Sequence, residues 1–182
     1  YDPVTEQFLI PASNASLVRY TPVPEPILPL SIRPPLRILL AISNPPDYPS
    51  LDVEREKDWI TEALTPLFYN NSVSIDILEN ATRQNLQIWL RRDYHILHYI
   101  GHGNLSEDTN VGNLVFTDEE TQKASLLDSE TLGYLLQYSS IRMVFLNACQ
   151  TALTMGTDAF LGVAQSIVRA GVPAVLSMQA DI

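Results

Sequence analysis

His95-Ile96-Leu97-His98-Tyr99-Ile100-Gly101-His102-Gly103 and Val144-Phe145-Leu146-Asn147-Ala148-Cys149-Gln150 decide the fold of this chain. Each begins as an apolar run of buried-strand length and ends in a residue able to do chemistry. Cys149 is the single cysteine and His102 one of three histidines. Working outward, apolar runs alternate with helical spacing. Ile38-Leu39-Leu40-Ala41-Ile42 reads as a strand, and Ile60, Ala63, Leu64 and Leu67 mark a helix that Asp52 can cap. Val73-Ser74-Ile75-Asp76-Ile77-Leu78 is a second strand. Leu86, Trp89 and Leu90 stripe a second helix starting near Thr82. The run from His95 is the third strand.

Beyond it, the polar stretch 104–113 and Leu114-Val115-Phe116-Thr117 suggest a small hairpin outside the main sheet. Leu132, Leu135 and Leu136 mark a third helix, and Met143 to Leu146 form a fourth strand. Phe160, Val163, Ala164, Ile167 and Val168 stripe a fourth helix that Gly171 ends, and Ala174-Val175-Leu176-Ser177-Met178 is a fifth strand. Strands alternating with helices predict an α/β three-layer sandwich around a mostly parallel sheet. Eleven of the thirteen prolines fall in the first 49 residues. Residues 1–35 therefore read as an extended lead-in, with a short strand over 16–20, and 36–182 as the folded core.

Composition narrows the function. With 182 residues and 46% hydrophobic content the chain can bury one full core. A net charge of −10 disfavours a phosphate backbone as ligand and suits basic peptides. No run of about 18 apolar residues and no basic start leading into an apolar stretch occurs, so neither a membrane span nor a secretory signal is expected, and the lone cysteine predicts a reducing, cytoplasmic setting. No phosphate loop or dinucleotide fingerprint is present, so no cofactor is expected. His95 and His98 face opposite ways on a strand, which leaves no metal set.

In open parallel sheets reactive groups collect at the carboxyl ends of strands. His102 and Cys149 are predicted at two such ends, 47 residues apart, on neighbouring strands about 4.8 Å from each other. An imidazole beside a thiol can take its proton and return it to a leaving amine. The backbone N–H groups of Gly103 and Cys149 are candidates to hold the oxyanion. Asp47, in the loop after the first strand, Asn147 and Asp181 are candidates for the substrate cleft. Asp118-Glu119-Glu120 is a further candidate for selecting a basic residue.

The two opening motifs, continued by Thr151-Ala152, closely resemble the CHAT family of caspase-like cysteine peptidases. The likeness extends to Pro35-Leu36-Arg37-Ile38-Leu39-Leu40, Leu51-Asp52-Val53-Glu54-Arg55-Glu56, Leu78-Glu79-Asn80-Ala81-Thr82, Gly162-Val163-Ala164-Gln165 and Ala170-Gly171-Val172-Pro173-Ala174-Val175. It implies a caspase-hemoglobinase fold, with His102 as general base and acid and Cys149 as nucleophile of an endopeptidase. Caspases carry their histidine about 50 residues before the cysteine, in keeping with the spacing here. Gln150-Thr151 departs from the caspase cysteine motif, so aspartate specificity is not carried over. The resemblance also implies a bacterial parent protein whose other modules gate activity. It further implies a core incomplete at its C-terminal end, finished by a second polypeptide if the chain is a processed subunit. A silent interaction module that keeps the motif for packing, or another acyl transfer through the same dyad, are the alternatives.

Overall fold

Leu36–Ile42 (β1) is apolar on both faces because it lies inside a sheet covered on both sides: Leu39, Leu40, Ala41 and Ile42 are all buried. The computed structural model describes residues 31–106, 111–147 and 162–177. The predicted strand over 16–20, the Phe160 turn of the fourth helix and Met178 lie outside those residues. From β1 the chain enters Val53–Tyr69 (α1), whose first turn Asp52 caps by accepting from the Arg55 N–H, as predicted. Asn71, at φ 55°, ends that helix, with Asn71 and Ser72 N–H returning to the carbonyls of Phe68 and Leu67. Val73–Leu78 (β2) follows.

Arg83–Trp89 (α2) begins at a reciprocal cap between Thr82 and Asn85 and leads to Ile96–Ile100 (β3). Three further strands come next: Gly103–Leu105 (β4), Gly112–Thr117 (β5) and Ala124–Asp128 (β6). Ser129–Gln137 (α3), Met143–Asn147 (β7), helical residues 162–169 (α4) and Ala174–Ser177 (β8) complete the described chain. Gly171 does end α4: its φ of 98° suits a residue without a side chain.

The main sheet has the order β2-β1-β3-β7-β8, and every pairing in it is parallel. Leu39, Ala41, Leu97, Tyr99, Val144 and Leu146 turn one face toward Leu86, Leu132, Leu136, Val163 and Ile167 from α2, α3 and α4. Leu40, Ile42 and Ile100 turn the other face toward Val53 and Ile60 of α1. The molecule is thus the α/β, three-layer arrangement the alternation predicts.

β5 pairs antiparallel with both β4 and β6. The predicted hairpin is therefore a three-stranded sheet, because the chain leaving His102 enters it at once through Gly103. All six residues of β5 are buried.

Candidate active site

Register decides what meets at the carboxyl edge of the sheet. Ile42 pairs with Ile100, and Ile100 with Asn147, so β1, β3 and β7 end level with one another. The expectation that the strands before His102 and Cys149 are neighbours holds, since β3 and β7 are adjacent. One further bond crosses between them, from the Gly101 N–H to the Asn147 carbonyl (3.3 Å). His102 follows this bonded pair by one residue. Cys149, the predicted nucleophile and oxyanion donor, and Asp181 lie outside the described residues.

His102 is 3% exposed. Its Nε2 lies 2.8 Å from the Pro49 carbonyl oxygen, and the Tyr48 ring sits 5.2 Å away, tilted by 54°. A carbonyl oxygen only accepts, so Nε2 carries the proton and the neutral ring keeps its lone pair on Nδ1. Burial lowers the imidazole pKa, with the Pro49 carbonyl pulling the other way. The ring is accordingly uncharged near neutral pH and can accept a proton at Nδ1.

Pro49 is held there by its loop. Ser43 N–H donates to the Ile100 carbonyl, Leu51 N–H to Asn44 Oδ1 (3.2 Å) and Tyr48 N–H to the Pro45 carbonyl. Pro45, Pro46 and Pro49 restrict the turn between these bonds. Asp47 accepts from the Ala124 N–H at 2.8 Å, which ties the loop to the start of β6. That bond gives this candidate cleft residue a definite structural partner.

Asn147, the last residue of β7, donates through Nδ2 to Glu56 Oε2 (2.8 Å) in the first turn of α1. The exit of β7 is thereby fixed from two sides, by Gly101 on the backbone and by Glu56 on the side chain. Gly103 is buried and opens β4 opposite Leu114, while the His102 carbonyl accepts from the Val115 N–H (2.9 Å). In the acidic turn, Asp118 accepts from the backbone of Glu120 and Thr121, and Glu119 from the Thr82 hydroxyl. Asp118 is held below the usual carboxylate range by those bonds to Thr121.

Three contacts leave no sign in the sequence: the Pro49 carbonyl as partner of the imidazole, Glu56 as partner of Asn147, and the Tyr99 hydroxyl, which donates to the Val115 carbonyl and lies 3.1 Å from that of His102. The loop after the first strand, which carries the cleft candidate Asp47, does reach His102, but through the Pro49 backbone. His95 and His98 do not join the site. His95 Nδ1 accepts from the Arg37 N–H (2.9 Å), and His98 stacks on Phe145. Among the described residues no cluster of three or more His, Cys, Asp or Glu side chains could hold a metal ion. No helix among them is long and apolar enough to cross a membrane.

The profile described as the CHAT domain matches residues 6–182. No curated protein matches the chain. Among solved structures, the crystal structure of the Drosophila initiator caspase Dronc is similar at 17% sequence identity and a TM-score of 0.38. The likeness covers 60% of this chain and 47% of that one, so this chain spans about half the length of the caspase.

Proposed function

The chain belongs to the CHAT domain family, and from that premise we propose that it is a cysteine endopeptidase domain working through His102 and Cys149. One observation carries the reading: the Pro49 carbonyl occupies Nε2–H of a buried, neutral His102 and leaves Nδ1 as the basic atom at the carboxyl edge of β3. The bonded pair Gly101 and Asn147 supports it. Two residues of chain span at most about 7 Å, so Cys149 follows from a point already tied to the residue before His102.

In the proposed reaction Nδ1 of His102 takes the Cys149 proton and the thiolate attacks the scissile carbonyl carbon. The oxyanion forms between the N–H groups of Gly103 and Cys149. The imidazolium then protonates the departing amine as the C–N bond breaks. Water, deprotonated by the same imidazole, hydrolyses the thioester. The substrate is a protein or peptide, and Asp47, Asn147 and Asp181 border its cleft. Other modules of a larger parent protein, or a separate activator, gate access in this reading, and the free thiol suits the cytoplasm.

A peptidyl acyloxymethyl ketone tests the proposal on the parent protein. Covalent labelling should map to Cys149 and disappear in both Cys149→Ala and His102→Ala. No labelling under any activating condition, with partner binding intact, would instead identify a silent interaction module.

A further inference from the structure

Tyr99 is 1% exposed, yet it carries a hydroxyl that the surrounding apolar core does not need. Its ring packs against Phe116, with centroids 5.4 Å apart, and a phenylalanine would make the same contact. The oxygen therefore has to be explained by its own partners. It lies 2.6 Å from the Val115 carbonyl and 3.1 Å from the His102 carbonyl. A strand residue presents its N–H and C=O on one side. Both groups of Val115 are taken at the same corner, the N–H by the His102 carbonyl and the C=O by the Tyr99 hydroxyl. With its one proton given mainly to the nearer Val115 carbonyl and shared with the His102 carbonyl in a bifurcated bond, the phenol closes a small ring of contacts around the backbone of His102.

Gly101 supplies the room. A Cβ at that position would overlap the Tyr99 hydroxyl and come within 2.9 Å of Cε1 of the same ring. The side chain of Tyr99 folds back under the residue that precedes His102, and the missing methyl at 101 permits it. Strand alternation places residues 99 and 101 on the same face, so the Tyr99 ring can run over Gly101 while still packing on Phe116.

We propose that the Tyr99 hydroxyl is a positioning group for His102: by tying the His102 and Val115 carbonyls together beneath Gly101, it sets the backbone from which the imidazole reaches the Pro49 carbonyl. The inference rests on the reading of His102 as the base for Cys149. Tyr99 touches no reacting atom. It acts by narrowing the directions in which Nδ1 can point, and misplacement of a reacting group by about 1 Å can lower a rate about 100-fold.

The test is the pH profile of Cys149 alkylation by iodoacetamide in the parent protein. A His102-assisted thiolate gives a reactive shoulder below the pH where a free thiol ionises, and His102→Ala abolishes it. Tyr99→Phe should lower the rate on that shoulder by about 10- to 100-fold, and leave the rate above the thiol pKa unchanged. Nitrogen-15 spectra should show the His102 ring going from one Nε2–H tautomer to a mixture. Should Tyr99→Phe fail to fold, Gly101→Ala, whose methyl displaces the phenol oxygen, supplies the same signature. If His102→Ala abolishes the shoulder while a folded Tyr99→Phe keeps it with a single tautomer, the positioning role is wrong and the dyad stands. If His102→Ala itself leaves the profile unchanged, the dyad falls and the inference with it.

Discussion

His98 stacks on Phe145, with centroids 5.4 Å apart and planes 14° from parallel. Its Nε2 is buried and has no hydrogen-bond partner among the described residues. Burial pushes its pKa down to about 4. Since the folded pKa lies below the unfolded one, the unfolded chain binds more protons between those two values. The native state is therefore favoured above pH 6.5 and progressively loses that advantage as pH falls toward 4. A separation of that size corresponds to about 3 kcal/mol at most. Burial lowers the pKa of His95 and His102 in the same direction, so they add to this limb. Asp76 and Asp128 are lowered carboxylates whose stabilisation is lost only at still more acid pH. The expected result for His98→Leu is a flatter stability curve between pH 6.5 and 4, measured by urea denaturation at stepped pH. An unchanged slope in that window would mean that another group dominates acid unfolding.

At the scale of elements, helix starts are where local sequence speaks most directly. Thr82 accepts from the Asn85 N–H (3.1 Å) while Asn85 Oδ1 accepts from the Thr82 N–H (2.7 Å), and both residues stand within one turn. The Thr82 hydroxyl also donates to Glu119 Oε1 (3.1 Å), joining the start of α2 to the turn between β5 and β6. Thr82→Ala removes both functions and is expected to cost about 1–2 kcal/mol. Glu119→Gln, which keeps an acceptor for the hydroxyl, should cost less in the same thermal melts. Asp52 and Gly171 were legible for the same reason as Thr82: a cap side chain or a left-handed residue leaves its mark within four positions. The partners of the candidate site leave no such mark. Pro49 meets His102 through a backbone carbonyl, which every residue type possesses. Glu56 meets Asn147 across 91 positions, and only the register of β1, β3 and β7 brings them together. The Tyr99 hydroxyl was hidden by its own strand, where an aromatic residue reads simply as core. The order of elements was thus readable from periodicity, while the second sheet was underestimated because Gly103–Leu105 has only three residues and Ala124–Asp128 follows the acidic turn without a continuous apolar run.

For the whole molecule, the decisive structural fact is that the small sheet and the main sheet share one core. Leu114, Phe116 and Leu127 belong to the same buried cluster as Leu97, Tyr99 and Leu146. Polar bonds cross the same boundary: Val115 N–H to the His102 carbonyl, Thr117 N–H to the Ala81 carbonyl, and the Tyr99 hydroxyl to the Val115 carbonyl. A sheet joined in this way cannot detach without exposing apolar surface and orphaning backbone groups. Folding of the described core should therefore be cooperative across both sheets. Phe116 is the residue on which this turns, being 2% exposed and packed directly on Tyr99. Phe116→Ala is expected to cost about 3–5 kcal/mol, a large share of the roughly 5–15 kcal/mol that stabilises an ordinary domain. Trp89, stacked on Tyr94 in the main body, reports the large sheet by fluorescence. Hydrogen exchange at the Val115 and Thr117 amides reports the small one. Both probes should move by the same free energy in Phe116→Ala, with coincident urea midpoints. An early transition confined to the Val115 and Thr117 amides would instead make the small sheet an independent unit, and would uncouple the backbone of His102 from the core that carries β3.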